Sequence, residues 1–184
     1  MKIAIAVTGA SGSIYANLLL KSLKQYPDQL TEISLVWTSN AQTVWQEELG
    51  NKDYESFPFR VWDTHDFYAP FASGSADYQA LIICPCSMGT LGRIAGGLSD
   101  NLITRAADVM LKERRKLICV TREMPLNLIH INNMKTVTEA GGIICPASPS
   151  FYHGERSLEA AAQTVVDRVL QLCGLQTQSK KWGQ

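Results

Sequence analysis

The fold is decided by residues 81–90, which read LIICPCSMGT. Four apolar residues lead into a proline and then into a turn rich in small and hydroxyl-bearing residues. This order is typical of a buried parallel strand, the loop at its carboxyl end and the start of a helix. Ligands of open α/β sheets bind outside such strand ends. Ser87 and Thr90 would bring hydroxyl and backbone N–H groups to a helix N-terminus, which favours an anion, although a simple helix cap uses the same residues.

Strands and helices alternate along the rest of the chain. The predicted strands are residues 3–7, 33–37, 81–84, 116–120 and 143–145, and the predicted helices lie near 14–25, 40–49, 89–95, 102–113, 127–140 and 157–173. Residues 51–71 lack a sustained period, and only one short strand is predicted there, near 59–62. This alternation predicts a single α/β domain over residues 1–184, a three-layer, doubly wound parallel sheet of flavodoxin-like or Rossmann-like type, with a polar tail at about 175–184.

Composition narrows the class of protein. The chain has 184 residues, of which 46% are hydrophobic and 18% charged, and this indicates a folded domain with a sizeable core. A formal net charge of zero without a basic stripe argues against a nucleic-acid partner. No apolar run reaches the roughly 18 residues of a membrane span, so we expect no membrane role. Five cysteines without a secretion signal indicate reduced thiols in the cytoplasm, and no histidine cluster suggests a metal.

Polar residues also follow other predicted strands. Residues 9–12 (GASG) follow the first strand, but they are too short for the dinucleotide fingerprint and lack the lysine of a P-loop. Their glycines either let a ligand approach the backbone or only make a tight turn. Arg122 follows a buried strand, where it would clamp an anion or pair with Glu123.

Charged residues on helices are further candidates. Arg105 and Lys112 lie seven residues apart on one predicted helix and share a face, which is either solvated or turned to a ligand. Glu48 ends a helix whose dipole disfavours a negative charge. We therefore expect a raised pKa and a role as acid or base, with an ordinary surface carboxylate as the alternative. Tyr152 and Arg168 stay ambiguous from the pattern alone.

Four stretches together resemble the UbiX-type flavin prenyltransferases, a family within the flavin-dependent cysteine decarboxylase-like superfamily. They are TGASGSIYA, ALIICPCSMGTL, DNLITRAADVMLKERRKLICVTREMPL and CPASPSFYHG. The long stretch, with FYH downstream, is specific, whereas GASG alone is not. The resemblance extends over residues 3–182. It implies an enzyme that joins a dimethylallyl group from dimethylallyl phosphate to N5 and C6 of reduced FMN without a metal. It also implies a homododecamer, and a product, prenylated FMN, that serves a UbiD-type decarboxylase.

The resemblance also implies roles for individual residues. Those expected to hold FMN are Ala10, Ser11, Gly12, Thr38, Ser87, Met88, Gly89, Thr90, Arg105 and Arg122. Those expected to hold the prenyl donor are Lys112, Arg122, Tyr152, Arg168, Phe67, Ser73 and Trp182. Catalysis is assigned to Glu48 as acid or base, to Ser11 as a relay hydroxyl, and to Lys112, Tyr152 and Arg168. Thr38 stands where the family usually has Ser, and Phe67 where some members have Trp, which affects the fit of the prenyl chain.

These residue types suit the implied chemistry. An allylic phosphate ionises to a cation and a departing phosphate, and cationic side chains with a tyrosine hydroxyl stabilise the phosphate. Aromatic faces such as Phe67 and Trp182 suit the cation. The ring proton lost with the second bond goes to the phosphate or to Glu48. We expect all of these loops to meet at one rim of the sheet and to form two neighbouring anion pockets.

Two other functions remain open. One is an FMN-dependent cysteinyl decarboxylase of the same superfamily, although residues 124–127 (MPLN) only faintly echo its PxMNxxMW segment. The other is a non-catalytic FMN carrier, in which the cationic side chains that suit a second phosphate would have no function. No role is assigned to His65, His130 or His153.

Overall fold

The computed structural model describes residues 1–152, 154 and 156–177. The strands are β1 (Lys2–Val7), β2 (Glu32–Trp37), β3 (Arg60–Trp62), β4 (Tyr78–Cys86), β5 (Lys116–Thr121) and β6 (Ile143–Pro146). The helices are α1 (Ser13–Leu23), α2 (Ser39–Leu49), α3 (Met88–Ala95), α4 (Leu102–Lys112), α5 (Leu128–Glu139) and α6 (Leu158–Cys173). Within the described ranges, no helix has the length and apolar character that crossing a membrane requires.

All six strands lie in one parallel sheet with the order β3-β2-β1-β4-β5-β6. The order of the strands reverses between β1 and β4, and this topological switch point is where open α/β sheets bind their ligands. Without the short β3, the strand order is that of the flavodoxin type; with it, the order is that of the Rossmann type. The predicted fold class is therefore confirmed.

The sheet is covered on both faces. One face packs on α1, α2 and α6, and the other on α3, α4 and α5. Alternate residues of β1 enter opposite cores, Ile3 and Ile5 on one side and Ala4 and Ala6 on the other. Central strands that are buried on both faces have continuous apolar sequences, which is why residues 81–84 were recognisable as a strand.

The largest differences from the predicted element boundaries are in β4 and α1. β4 begins at Tyr78 and continues to Cys86, because Cys86 pairs with Thr121 of β5 after a shift of register beyond Ile83. The Thr8 amide and hydroxyl also bond the Pro85 carbonyl. α1 ends at Leu23, two residues short of the prediction and shortly before Pro27. The short strand predicted near residues 59–62 is confirmed as β3.

A buried polar network ties together the amino ends of β2 and β4 and the last residue of β3. The Ser34 hydroxyl lies 2.7 Å from the Tyr78 hydroxyl and accepts a 3.0 Å bond from Trp62 Nε1. Tyr78 in turn donates to Glu32 at 2.7 Å. Burial raises the pKa of Tyr78 to about 12, with the Glu32 carboxylate adding to the rise and Ser34 opposing it. The tyrosine therefore remains a neutral donor throughout the physiological range.

We expect Ser34→Ala to lower the free energy of unfolding by about 1–3 kcal/mol, because the buried Trp62 N–H loses its acceptor. Urea denaturation followed by circular dichroism measures this change. Thr136→Ala, which removes a hydroxyl on the exposed face of α5, is the control and should stay within about 0.5 kcal/mol of the unmodified protein. An equal loss in both variants would contradict the assignment.

Candidate active site

A crevice opens at the switch point, where β1 and β4 end side by side. The Ser87 amide, at the exit of β4, donates to Thr8 Oγ1 at 2.8 Å. The Thr38 amide, at the exit of β2, donates to the Val7 carbonyl at 3.1 Å. The loops that follow β1, β2 and β4 are thus joined at one rim of the sheet, as the sequence predicted for them.

The first loop, residues 8–13, requires glycine at two positions. A Cβ atom on Gly9 would lie 2.5 Å from Asn40 Cβ, so only glycine lets this loop approach the start of α2. Gly12 has φ of +122°, a conformation that other residues rarely adopt. Both constraints arise within the chain and are those of a tight turn packed on α2, the second of the two alternatives for the GASG stretch.

Glu48 reaches this loop from the last turn of α2. Its carboxylate accepts bonds from the Gly12 amide at 3.0 and 3.1 Å and from the Ser13 amide at 2.7 Å, and the hydroxyls of Ser11 and Ser13 are near enough to lower its pKa. Gly12 is the N-cap of α1 and has no side chain that could cap it. Glu48 therefore supplies the anionic cap at the positive end of α1.

The expectation of a raised pKa for Glu48 is wrong. Burial acts to raise the pKa, but the bonds from the Ser11 hydroxyl and from the Ser13 and Gly12 amides outweigh it, and the pKa lies below the ordinary value of 4.5. The α1 N-terminus, which the sequence pattern did not pair with Glu48, provides these donors. Glu48 is consequently an ionised proton acceptor at neutral pH rather than a proton donor.

This shift makes a pH prediction. Because the pKa is lower in the folded chain, the stabilisation from Glu48 is present above the unfolded pKa and is lost as the pH falls through the folded value. Carboxyl-detected NMR should show Glu48 titrating below 4.5, and Ser11→Ala should move its pKa upward. A midpoint at or above 4.5 in the unmodified protein would contradict the hydrogen-bond assignment.

The exit of β5 meets the same crevice. Arg122 Nε donates to the Ser11 carbonyl at 3.1 Å, which brings the guanidinium group against the first loop. Glu123 instead accepts a bond from the Met124 amide. Tyr15 lies beneath them, and its hydroxyl donates to the Ala147 carbonyl at 3.4 Å. No role was predicted for Tyr15, because an aromatic residue at helical spacing is indistinguishable from an ordinary core residue.

Hydroxyl groups cap two helices at the rim. Ser87 Oγ accepts the Thr90 amide at 3.2 Å and donates to Thr90 Oγ1 at 3.0 Å. Thr38 Oγ1 accepts the Ala41 amide at 3.2 Å. The Ser87 cap was predicted as one of two alternatives. Neither cap excludes a ligand, because each oxygen retains an unused lone pair. Ala10 lies on the first loop, and Met88 and Gly89 are the first two residues of α3.

Tyr152 and Arg168 belong to the outer β6 side of this rim. Tyr152 lies exposed on the loop after β6, and that loop is held to α6 by the Ser150 amide, which donates to Thr164 Oγ1 at 2.9 Å. Arg168 is one helical turn beyond Thr164 and donates to Gln171 at 3.3 Å. Burial raises the pKa of the Cys145 thiol on β6, and the positive charge of Arg168 opposes this rise.

Two of the expected site residues, Lys112 and Ser73, lie at the opposite, amino edge of the sheet, and the expectation of a single rim is wrong for these two. Lys112 ends α4 beside the amino end of β5, where its Nζ donates to Glu113 at 2.7 Å and lies close to Gly74. The six residues of β5 separate this edge from Arg122 by about 20 Å. Arg105 donates to the Ala72 carbonyl at 3.0 Å and to Asp108 at 2.9 Å.

Ser73 lies on the loop beside Lys112, whereas Phe67 lies on the loop that leaves the carboxyl end of β3. The loop that carries Ser73 is clamped by Arg115, which donates to the Gly74 carbonyl at 2.8 Å. The loop that carries Phe67 is tied to α4 through the Leu102 amide, which donates to the Thr64 carbonyl at 2.7 Å. We call Phe67, Ser73, Arg105 and Lys112 the α4 group. Trp182 and His153 lie outside the described residues.

The crevice has the donor set that a flavin mononucleotide requires. Small residues leave room for a flat ring system, and the Arg122 guanidinium with the Ser87 and Thr90 hydroxyls is suited to a phosphate. Among the described residues, no group of three or more His, Cys, Asp or Glu side chains is arranged to hold a metal ion.

Comparison with known proteins decides the family. The sequence profile of the family described as Flavoprotein matches residues 1–174. The flavin prenyltransferase UbiX of Methanocaldococcus jannaschii is 41% identical over 186 residues, covering 100% of this chain and 99% of that protein. The chain belongs to the UbiX flavin prenyltransferase family. The resemblance inferred from the four stretches is therefore confirmed.

Two solved structures with UbiX in their descriptions support this membership. The dodecameric FMN-dependent UbiX-like decarboxylase of Escherichia coli O157:H7 is 36% identical with a TM-score of 0.94, and each chain covers 100% of the other. AnUbiX (PadA1), in complex with FMN and dimethylallyl pyrophosphate, is 37% identical with a TM-score of 0.90 and 98% coverage of both chains. EpiD of Staphylococcus aureus is only 22% identical with a TM-score of 0.61, a likeness that concerns the fold alone.

Proposed function

We propose that this UbiX-family chain transfers a dimethylallyl group from dimethylallyl phosphate to N5 and C6 of reduced FMN. The observation that carries the proposal is the ionised Glu48, bonded to the Ser11 hydroxyl in a crevice that Arg122 borders. The relative that binds FMN together with dimethylallyl pyrophosphate supports the pairing of these two ligands.

FMN binding is assigned to the loops at the rim. The small first loop would lie against the ring system, while Thr38, Ser87, Thr90 and Arg122 would hold the phosphate and ribityl chain. When bound and reduced, the flavin supplies the nucleophilic N5 and C6 atoms that take the prenyl group. Ser11 Oγ donates to Glu48, so a proton taken up at Ser11 passes to the carboxylate in one step.

We further propose that the donor phosphate is held between two copies of the chain. Tyr152 and Arg168 would come from the copy that holds FMN, and the α4 group would come from a neighbour. Two facts support this division. Within one chain, Lys112 lies about 20 Å from the crevice. In addition, the UbiX-like relative that aligns with this chain over 100% of both chains is dodecameric. Lys112 is exposed. In the part of the chain that the structure describes, its one ion pair is with its sequence neighbour Glu113, so it is accessible to a ligand held by another copy.

An exposed apolar surface supports a homododecamer for this chain as well. Met124, Leu128, Ile129 and Ile131 are exposed near or on α5, which has only Val137 buried. Contiguous apolar side chains of this size on a protein surface mark an interaction site. A second copy of the chain is the proposed occupant, and the interface would place α4 of one copy near the crevice of another.

The remaining properties follow from the proposed chemistry. Cationic side chains and the Tyr152 hydroxyl neutralise a monophosphate, so we propose a reaction that needs no metal. The product, prenylated FMN, would leave for a UbiD-type decarboxylase. Cys84, Cys86, Cys119, Cys145 and Cys173 are free thiols, which is consistent with the cytoplasm as the proposed compartment.

Anaerobic incubation with reduced FMN and dimethylallyl phosphate tests the function. Mass spectrometry should find a flavin that is heavier by one prenyl unit, and a parallel reaction with the pyrophosphate measures donor preference. Unchanged flavin with both donors would overturn the proposal. Decarboxylation of a cysteinyl peptide in a companion assay would then favour the decarboxylase alternative, and tight FMN binding without either reaction would favour the carrier.

A further inference from the structure

Thr8 occupies the point at which the crevice begins. It is the first residue after β1, and its side chain is 1% exposed. Beyond it the chain turns into α1 on one face of the sheet, whereas the chain beyond β4 turns into α3 on the other face. The two strands therefore stop pairing here, and the amides that follow them need other partners.

The Thr8 hydroxyl supplies those partners across the gap. It donates to the Pro85 carbonyl at 2.8 Å and accepts the Ser87 amide at 2.8 Å, while the Thr8 amide donates to Pro85 at 3.3 Å. Ser87 is the N-cap of α3. One buried hydroxyl thus fixes the N-terminus of α3 relative to the first loop.

We propose that Thr8 is a positioning residue that sets the separation of the two FMN-binding loops, an inference that rests on the FMN site of the proposed function. Without the hydroxyl, the Ser87 amide has no acceptor, and the loop of residues 85–90 shifts to find one. FMN must then restore the loop when it binds, and this requirement weakens its affinity. A serine at this position keeps both bonds.

The test compares FMN affinity, by quenching of flavin fluorescence, among Thr8→Val, Thr8→Ser and the control Ser34→Ala. We expect Thr8→Val to raise the FMN Kd by about tenfold, and Thr8→Ser to stay within about threefold. Ser34→Ala removes a buried hydroxyl away from the crevice and should lower stability without changing the Kd. Hydrogen exchange should also quicken in residues 85–90 of Thr8→Val alone.

The outcomes separate this inference from the proposed function. An unchanged Kd and unchanged exchange in Thr8→Val would overturn the role of Thr8 and leave prenyl transfer unaffected. Failure of the unmodified protein to bind FMN would overturn both. If Thr8→Val does not fold, Thr8→Cys replaces it in the same comparison, because cysteine is small and its thiol is only a weak hydrogen-bond donor. A raised FMN Kd in Thr8→Cys would support the role of Thr8, and an unchanged Kd would contradict it.

Discussion

Replacing Lys112 with alanine is expected to slow prenyl transfer by about 10²–10³-fold, because the departing phosphate loses a cation that stabilises it. FMN affinity should change little, because FMN is assigned chiefly to the rim loops. The ion pair of Lys112 with Glu113 is exposed, so its loss should leave stability nearly unchanged. Single-turnover assays with reduced FMN, followed by mass spectrometry of the flavin, measure the effect.

The control for this variant is Arg114→Asn. Arg114 is an exposed cation only two residues away, and its φ of +56° is one that asparagine tolerates. This variant should transfer the prenyl group at nearly the unmodified rate. Equal losses in the two variants would mean that general surface charge, rather than Lys112 itself, supports the reaction.

Replacing Glu48 with glutamine should slow turnover by about 10²–10⁴-fold, because the amide cannot accept the proton. The glutamine oxygen still accepts the Ser13 amide, so α1 keeps part of its cap and FMN still binds. FMN titration and rapid-quench kinetics separate the two effects. A normal rate would remove the catalytic role and leave Glu48 as a structural cap alone.

Glu47→Gln is the matched control for that substitution. Glu47 is an exposed carboxylate on the same turn of α2, so it reports the effect of losing one negative charge there. A Glu47→Gln rate equal to the unmodified rate, beside a slow Glu48→Gln, would assign the proton to one side chain. Ser11→Ala should slow turnover in the same direction, because it removes the relay hydroxyl.

Much of the fold was predictable because burial on both faces leaves a strong sequence signal. Residues 81–84 and 116–120 are apolar runs too short for helices, and each is followed by polar residues at a strand exit. The extension of β4 to Cys86 was not predictable, because it depends on pairing with Thr121 of β5, a strand distant along the chain, after a shift of register. Propensity alone assigns a proline to the end of a strand.

Part of the site was also predictable, because several of its residues directly follow recognisable strands. Ser11, Thr38, Ser87 and Arg122 follow parallel strands, whose carboxyl ends meet at one edge. Lys112 does not, because a crossover helix returns to the amino edge before the next strand begins, so the end of α4 had to lie there. The direction of the Glu48 pKa shift was missed because its partners are amides of α1, which no pattern in α2 reveals.

The central claim is that two copies complete one prenyltransferase site, and mixed assemblies test it most directly. Lys112→Ala and Glu48→Gln chains, co-expressed with different tags and purified through both, would be assayed for prenylated flavin. A site that takes Glu48 from one copy and Lys112 from its neighbour predicts activity restored to about a quarter of the unmodified rate. With random mixing, about half of the sites receive an intact Glu48 and about half of those also receive an intact Lys112. Activity no higher than that of either variant alone would contradict it.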